Sequence, residues 1–356
     1  MNLKREVNTT PKSFVDRIAP PRTWADPRLH LDALLTHPYY KHLLNVHHQL
    51  HMALMQFFEK EGFLFVDLPI TTNSVSSPMG LGSDSQPVSI VMNGERTYLS
   101  DSMQFFLELT CRITQQNAAY KMISFRGEKP DRTHLGQFQH AECEILGNLN
   151  DIKLTAGKLL HFLTQFLLEH CSEAISYIAG TTDHLTALAE CSGTFPSISM
   201  QEALEVLRKH GPNQIIEHPA GFTLPSRTGE EMLCKTYGRA GVLWITHFPH
   251  RTVPFYQAFD PEDTDNALNA DLLVCGIETI GAGQRHFGSA EVLAALSKHD
   301  VSPDPYLWYA NMRDVSPLQT SGFGLGIERY LMRVLQQPDI RDCTLLYRGN
   351  GISCFP

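Results

Sequence analysis

The chain has 356 residues, of which 42% are hydrophobic and 19% are charged, a balance typical of a globular protein with a sizeable core. Its net charge of −9 argues against a large nucleic-acid-binding surface, because binding through phosphates favours a basic protein. The eight cysteines include no CxxC pair, and the sequence contains neither a signal peptide nor an apolar run of membrane-spanning length. We therefore expect a cytoplasmic protein without a disulfide framework or a zinc site, and with neither a membrane nor DNA as a partner.

The first part of the chain predicts an arm, a long helix and a hairpin. Residues 1–35 are polar and interrupted by prolines, which is typical of an arm rather than a domain. An apolar stripe predicts a helix over about 40–61, followed by a strand at 63–68. The stretch 71–86 is rich in serine, glycine, asparagine and proline, which predicts a loop of the kind that covers a binding site. An Asn-Gly pair within 88–100 predicts a hairpin.

The middle of the chain predicts a strand pair and two helices. Two strands joined by a polar loop are expected within 123–146, and a strongly apolar helix is expected over 151–170. Ser199 and Glu202 match a capping box, which predicts a helix that ends at Gly211.

The last part of the chain contains strand-like segments at 241–248 and 270–280. A glycine-rich stretch at 322–326 precedes a helix over about 327–335. Because hairpins and loops join the predicted strands, rather than regular crossover helices, we expect an α+β fold with a mostly antiparallel sheet.

A pattern suited to phosphate binding lies at 125–138, where Phe-Arg-Gly-Glu is followed by a basic loop and a second aromatic residue. An arginine that rises from a rigid strand, here Arg126, suits a bidentate grip on phosphate. Phe138 on the returning strand offers a face on which a purine could stack. Taken alone, the pattern fits equally well a surface salt bridge beside a core phenylalanine.

The segment 322–329, Gly-Phe-Gly-Leu-Gly-Ile-Glu-Arg, combines closely spaced glycines with Arg329 in the first turn of a helix. Glycines let a main chain approach a ligand closely. The spacing differs from the GxGxxG of dinucleotide-binding folds, and only 30 residues follow Gly326, too few for the rest of such a unit. A run of packing glycines is the alternative interpretation.

Two carboxylates, Asp271 and Glu278, lie just before the Gly-Ala-Gly-Gln-Arg sequence at 281–285. Two carboxylates at this distance can hold Mg²⁺ that bridges polyphosphate oxygens. Arg285 would be a suitable partner for an anionic group of a substrate. The alternative is that both acids are solvated turn residues, which are common.

Together and in this chain order, the three patterns resemble the class II aminoacyl-tRNA synthetases, specifically the aspartate/asparagine subgroup. The family's motifs 1, 2 and 3 correspond to 47–70, 125–138 and 321–332, and the segments 247–256 and 280–286 resemble the subgroup's NYPKDIKPFY and GGSQRE elements. The resemblance implies an AMP-forming ligase that activates an amino acid with ATP. It also implies a homodimer, because the motif 1 helix and strand would otherwise expose an apolar face.

The resemblance further implies one catalytic domain over 36–356, an antiparallel sheet flanked by helices, and a role for individual residues. Arg126 would hold the α-phosphate of ATP, Phe138 would stack on the adenine, and Arg329 would grip the γ-phosphate, while Mg²⁺ would bind Asp271 and Glu278. The implied ATP site comprises Arg126, Glu128, His134, Phe138, Glu278, Gly326 and Arg329, and the implied amino-acid site comprises Ser102, Gln104, Glu108 and Arg285. In-line attack by a carboxylate needs positioning and cationic stabilisation rather than a protein nucleophile.

Some features differ from the tRNA-charging members. Only about 40 residues precede motif 1, which leaves no room for the anticodon-binding barrel expected there. This feature and the Ser102-Met103 pair resemble the archaeal asparagine synthetase relatives, in which ammonia attacks aspartyl-adenylate. Leu107, in contrast, replaces the lysine of aspartate-specific members, and Glu108 matches an acid that faces the side-chain amide in asparagine enzymes. These last two positions favour an amide-bearing substrate.

Three smaller departures affect the expected ligand contacts. The loop 71–86 contains Asp84 but lacks the family's acidic-glycine pattern. Thr133 stands where an arginine usually precedes His134, and the spacing from Asp271 to Glu278 is one residue shorter than usual. None of these changes removes a core arginine, so we expect adenylation to survive.

Three functional hypotheses follow. The favoured one is a stand-alone enzyme that makes an aminoacyl-adenylate and passes the acyl group to ammonia or another small acceptor. The second is an asparaginyl- or aspartyl-tRNA ligase core that acts on tRNA. The third is a non-catalytic paralogue that binds ATP or an amino acid to regulate another process, which the retained charges of Arg126, Glu278 and Arg329 disfavour.

Overall fold

A computed structural model of the chain describes residues 17–76 and 85–349. Residues 77–84 of the predicted loop 71–86, which include Asp84, and the first 16 residues of the predicted arm therefore lie outside the described residues. The helices are α1 (Pro27–Thr36), α2 (Pro38–Lys60), α3 (Gln104–Thr114), α4 (Leu149–Ala179), α5 (Asp183–Ala189), α6 (Met200–His210), α7 (Arg227–Tyr237), α8 (Ser289–Lys298), α9 (Leu307–Val315) and α10 (Ile327–Val334).

The strands form one large sheet and two small ones. They are β1 (Leu64–Phe65), β2 (Thr71–Thr72), β3 (Val88–Met92), β4 (Glu95–Leu99), β5 (Ala118–Phe125), β6 (Gln137–Leu146), β7 (Ser197–Ser199), β8 (Ile215–Glu217), β9 (Thr223–Pro225), β10 (Val242–Thr246), β11 (Asn269–Val274), β12 (Ile277–Gln284) and β13 (Thr320–Gly326). The large sheet has eight strands in the order β1-β5-β6-β13-β12-β11-β10-β7. Only the edge pairs β1/β5 and β7/β10 are parallel, so the predicted α+β fold with a mostly antiparallel sheet is confirmed.

The two faces of the large sheet differ because successive strand residues point to opposite sides. On one face, Cys143 of β6 and Phe323 of β13 are buried in the main hydrophobic core with α2 and α4. On the other face, Glu142 and Glu144 of β6 lie beside glycines of β13. The covering helices therefore stabilise the sheet from behind and leave its polar face for a site.

Helix α4 supplies much of the core. Asn148 and Asp151 form a capping box at its N-terminus, and Gly180 ends it with a φ of 83° in the left-handed region. The predicted end at 170 coincides with a kink at Cys171, whose φ of −148° and ψ of 25° are not helical, and the chain then continues as helix to Ala179. Its buried leucines, such as Leu160 and Leu163, pack in the same cluster as the apolar face of α2, which begins and ends close to the predicted bounds.

Local predictions were confirmed where turn chemistry is specific. The hairpin β3–β4 turns at Asn93 and Gly94, both with positive φ, and the helix that the Ser199–Glu202 capping box predicts spans α6. The single strand-like segment predicted at 270–280 is wrong, because Cys275 and Gly276 adopt φ values of 53° and 80° and separate β11 from β12. The strand expected at 63–68 shortens to β1.

The described part of the predicted arm packs on the domain instead of projecting from it. Helix α1 begins after Asp26, whose side chain accepts a hydrogen bond from the Arg28 amide. Trp24 donates to Asp342 at 3.2 Å, and the Arg341 guanidinium lies 3.9 Å from the centre of the Trp24 ring. A division of the chain after residue 35 remains a prediction. Within 17–76 and 85–349, no helix has the length and apolar character needed to cross a membrane.

Candidate active site

Glycines of the two central strands form the floor of the site. A β-carbon on Gly322 would overlap the side chains of Glu144 and Gln104 and lie 2.6 Å from Arg285 Nη2. A β-carbon on Gly324 would lie 3.0 Å from the Glu142 carboxylate. The glycines therefore allow charged side chains to lie directly against the main chain of the sheet.

Over this floor, Arg285 and Glu144 form a buried ion pair. Arg285 Nη2 lies 3.0 Å from Glu144 Oε2, and both side chains are at most 2% exposed. Gln104 Nε2 donates to the same carboxylate at 2.6 Å, and Arg285 Nη1 donates to Gln257 at 3.0 Å. Burial raises the pKa of Glu144, an effect that the Arg285 guanidinium opposes. The result is a small polar pocket whose fixed charges nearly cancel.

A second carboxylate, Glu142, lies two residues away on the same face of β6. It accepts hydrogen bonds from Ser102 at 2.7 Å and from the Tyr120 hydroxyl, and it lies 3.2 Å from His140 Nδ1. Although burial alone would raise the pKa of Glu142, the neighbouring His140 and these hydrogen bonds lower it. Glu142 is therefore a carboxylate kept ionised at the edge of the Arg285 pocket.

Glu108 lies behind this pocket. Its carboxylate is fully buried, and it accepts a hydrogen bond from Arg313 at 2.8 Å, one from Arg112 at 3.4 Å and one from the Tyr309 hydroxyl. Phe105, next to Gln104 on α3, packs against Tyr309 with ring centres 4.2 Å apart. Since Tyr309 also bonds to Glu108, the charged cluster supports the helix that carries Gln104. A direct contact between Glu108 and a substrate remains a prediction, and the geometry favours a positioning role.

The residues predicted to bind ATP line one cleft beside this pocket. Arg126, at the end of β5, holds its guanidinium 5.4 Å from the centre of the Phe138 ring, in cation–π geometry. Its Nε is buried and has no hydrogen-bond partner within the described ranges. The lining includes Arg126, Glu128, His134, Phe138, Glu278, Gly326 and Arg329, all seven residues of the predicted ATP site.

The loop between β5 and β6 closes one side of the cleft. Asp131 accepts hydrogen bonds from the Thr133 amide at 2.7 Å and from the His134 amide at 2.9 Å, and His134 Nδ1 lies 3.0 Å from it. Desolvation would raise the pKa of Asp131, but these hydrogen bonds lower it to about 2. The loop thus holds His134 in place, while Glu128 accepts a hydrogen bond from the Gln86 amide at 3.1 Å.

Arg329 lines the same cleft as Arg126 and lies on the first turn of α10. Its Nη1 donates to the Glu278 carbonyl at 2.8 Å and lies 3.4 Å from the Glu278 carboxylate. The preceding residue, Glu328, is buried and accepts hydrogen bonds from the Gln139 amide at 3.0 and 3.1 Å. These contacts fix α10 against β6 and direct Arg329 into the cleft.

Asp271 and Glu278 approach each other above Gly281. A β-carbon built there would lie 2.9 Å from Glu278 Oε1 and 3.8 Å from Asp271 Oδ1. The pKa of Asp271 is raised by burial, then by Glu278 and then by Glu230 of α7. The pKa of Glu230 is raised to about 8 by burial and then by Glu278. Among the residues for which the structure gives positions, no group of three or more His, Cys, Asp or Glu is arranged to hold a metal ion. The pair fits a magnesium ion that takes its other ligands from phosphates and water.

Comparison with known proteins identifies the family. The profile of the tRNA synthetases class II (D, K and N) matches residues 28–348. The chain belongs to this family of ligases. It is 27% identical over 324 residues to the asparagine–tRNA ligase of Bacillus cereus, covering 85% of this chain and 69% of that protein. The asparagine–tRNA ligase of Thermoplasma acidophilum is 26% identical over 312 residues, covering 84% and 67%.

Solved structures agree with this assignment. The asparaginyl-tRNA synthetase from Pyrococcus horikoshii in complex with asparaginyl-adenylate superposes with a TM-score of 0.81 and 27% identity, covering 93% of this chain and 73% of that chain. The aspartyl-tRNA synthetase from Entamoeba histolytica gives a TM-score of 0.72 at 19% identity, covering 91% of this chain and 62% of that chain, which bears on the fold alone. The resemblance to the aspartate/asparagine subgroup is thus confirmed.

The relatives change the order of the hypotheses. The named relatives are tRNA ligases, so tRNA is better supported as the acyl acceptor than ammonia, which the sequence favoured. Sequence reasoning also missed Glu142, Tyr120 and Gln257 as pocket residues. The signal for Glu142 was the alternation of Glu142 and Glu144 along β6, which already placed both carboxylates on one face.

Proposed function

We propose that this class II synthetase activates asparagine with ATP to give asparaginyl-adenylate and pyrophosphate, and then transfers the asparaginyl group to tRNA. The observation that carries the choice of asparagine is the Arg285–Glu144 pair. A carboxamide can accept from Arg285 through its oxygen and donate to Glu144 through its nitrogen. An aspartate side chain would instead bring a second carboxylate next to Glu144, in a pocket without a net positive charge to receive it.

The same argument weakens the ammonia hypothesis. Formation of asparagine from ammonia requires aspartyl-adenylate, and aspartate is the substrate that Glu144 would repel. Leu107 points in the same direction, because it is a fully buried apolar residue where an aspartate-specific pocket would need a cation. The names of the relatives support tRNA as the acceptor.

The adenylation step follows from the positions of charged groups around the reacting atoms. A carboxylate oxygen of asparagine attacks the α-phosphorus, the bond between that phosphorus and the bridging oxygen breaks, and pyrophosphate leaves with the electron pair. Arg126 would hold the α-phosphate, with the adenine against Phe138, and Arg329 would hold the far phosphates. Glu142 would bind the α-ammonium group, which fixes the attacking carboxylate. Mg²⁺, held by Asp271 and Glu278, would neutralise charge on the phosphates.

A homodimer is part of this proposal. Helix α2 leaves Leu44, Met52 and Met55 between 43% and 49% exposed, although the rest of its apolar stripe is buried. A second copy packed on this side would remove these side chains from water. Sedimentation equilibrium of the full chain would report the mass directly.

The function is tested by amino-acid-dependent exchange of labelled pyrophosphate into ATP. We expect exchange with asparagine and little with aspartate, and we expect Arg126→Ala to abolish it. Arg208→Ala, which removes an exposed arginine of α6, is the matched control and should keep it. Exchange with aspartate in preference to asparagine would contradict the proposal for the substrate.

The acceptor is tested separately with pre-formed adenylate. The wild-type enzyme is supplied with ATP and either labelled asparagine plus total tRNA or labelled aspartate plus ammonium. Acid-precipitable label that depends on tRNA supports the tRNA acceptor. Labelled asparagine formed from aspartate and ammonium, without any tRNA-dependent label, would restore the small-acceptor hypothesis.

A further inference from the structure

A second, larger cleft opens on the other side of Arg329. It has a volume of about 890 Å³, within the range of small-molecule sites, and it shares Arg329 and Thr133 with the ATP cleft. The ATP site does not use the rest of its lining. The two clefts therefore adjoin each other, with Arg329 and Thr133 at the boundary.

The second cleft is cationic in a chain whose net charge is −9. Five arginines line it, against two carboxylates, and the five are Arg17, Arg132, Arg227, Arg329 and Arg333. One of the two carboxylates, Asp131, accepts hydrogen bonds from its own loop at Thr133 and His134. The other, Glu231, lies 3.5 Å from Arg227 as an exposed pair. Arg329 lies 3.4 Å from the Glu278 carboxylate, so the guanidinium groups that none of these three carboxylates pairs with are those of Arg17, Arg132 and Arg333.

Three of the arginines are held in place through main-chain carbonyls. Arg17 donates to the Ile178 carbonyl at 3.0 Å, Arg132 to the Pro338 carbonyl at 3.4 Å and Arg333 to the Ala240 carbonyl at 3.3 Å. A guanidinium has five N–H donors, so these bonds orient the side chain, leave its charge uncompensated and keep donors free. Guanidinium groups arranged in this way suit phosphate oxygens.

We propose that this arginine-lined cleft binds inorganic pyrophosphate as it leaves the ATP site, an inference that rests on the adenylation proposed above. Arg329 would pass the leaving pyrophosphate to Arg132, Arg227 and Arg333, one cleft away from the reaction centre. No bond is made or broken in this transfer. Its consequence is that pyrophosphate is withdrawn from the phosphorus atom that it would attack in the reverse reaction.

The test measures pyrophosphate affinity directly, by titration calorimetry of the full chain with inorganic pyrophosphate. The test variant is the double exchange Arg132→Gln with Arg227→Gln, and both side chains are exposed enough to be replaced without disturbing the core. The matched control is Arg96→Gln with Arg208→Gln, which removes the same charge from exposed positions elsewhere. We expect the dissociation constant for pyrophosphate to rise roughly tenfold or more in the test variant and to stay within about twofold in the control, since charge-assisted hydrogen bonds are lost only in the former.

AMP serves as the reference ligand because it would occupy the ATP cleft alone, and its affinity should stay the same in both variants. An unchanged pyrophosphate affinity in the test variant would overturn the proposal, as would an equal loss of AMP affinity. The proposal would also be wrong if the test variant weakened binding of a tRNA acceptor-stem minihelix and left pyrophosphate binding unchanged. Because calorimetry needs no turnover, a failure of adenylation in the exchange assay would be seen separately.

Discussion

Glu144 and Arg285 meet at 3.0 Å directly above Gly322, where a β-carbon would overlap both the carboxylate and its neighbour Gln104. Glu144 lies on β6 and Arg285 directly follows β12, two strands that β13 separates in the sheet. The pair can form because Gly322 of β13 places no side chain between them. This relationship links the glycine-rich motif to the choice of amino acid.

The first prediction concerns that glycine. Gly322→Ala should lower asparagine-dependent exchange by about a hundredfold, because a displacement of the catalytic groups by about 1 Å has an effect of this size. Gly288→Ala is the control, since a β-carbon there meets nothing closer than 4.0 Å. Pyrophosphate exchange and circular dichroism should be measured on both variants. Full activity in Gly322→Ala would show that the pocket is not built as described.

The second prediction concerns substrate choice. Glu144→Gln removes the negative charge but retains a hydrogen-bond acceptor for Arg285, so the pocket gains a net positive charge. The ratio of kcat/KM for asparagine over aspartate should then fall roughly tenfold or more, since a charged hydrogen bond to the substrate amide is lost and a carboxylate becomes acceptable. Exchange assays with both amino acids give this ratio. A ratio that stays at the wild-type value would assign discrimination to other residues.

The third prediction concerns the magnesium ion. Asp271→Asn should raise the Mg²⁺ concentration for half-maximal exchange about tenfold or more, because it removes one of two carboxylates that converge above Gly281. Asp32→Asn, on the exposed side of α1, is expected to leave the concentration unchanged. A magnesium titration of the exchange rate checks both. Identical midpoints for the two variants would place the ion elsewhere.

The fourth prediction concerns pH and stability. Burial raises the pKa of Glu328 from 4.5 to about 7, so the folded protein holds this proton where the unfolded chain has released it. The free energy of unfolding should therefore fall as pH rises from 4.5 to 7, by about 3 kcal/mol from this group. Glu328→Gln removes the titration and still accepts a hydrogen bond from Gln139. Urea denaturation should give the wild type and Glu328→Gln similar free energies of unfolding at pH 5. At pH 8 the variant should have the higher free energy of unfolding.

The sequence by itself determined the family, the type of fold and which residues line the candidate ATP cleft. A capping box, an Asn-Gly turn and an alternating strand each depend on residues only a few positions apart, so they can be identified from sequence. The motifs could be identified because their residues occur in a fixed order along the chain. All seven residues assigned to ATP line one cleft. Arg126 and Phe138 could be paired from sequence because β5 and β6 form a hairpin.

Only the tertiary structure decided which charges pair and which stay free. Glu108 matched a substrate position in the sequence, but Arg313, more than 200 residues later, occupies its carboxylate, while Glu144 takes the place beside Arg285. The cationic cleft likewise gathers Arg17, Arg132 and Arg333 from distant segments. The energy of a charge depends on its burial and on its partners, and a chain fixes these only when strands and helices far apart in sequence are packed together.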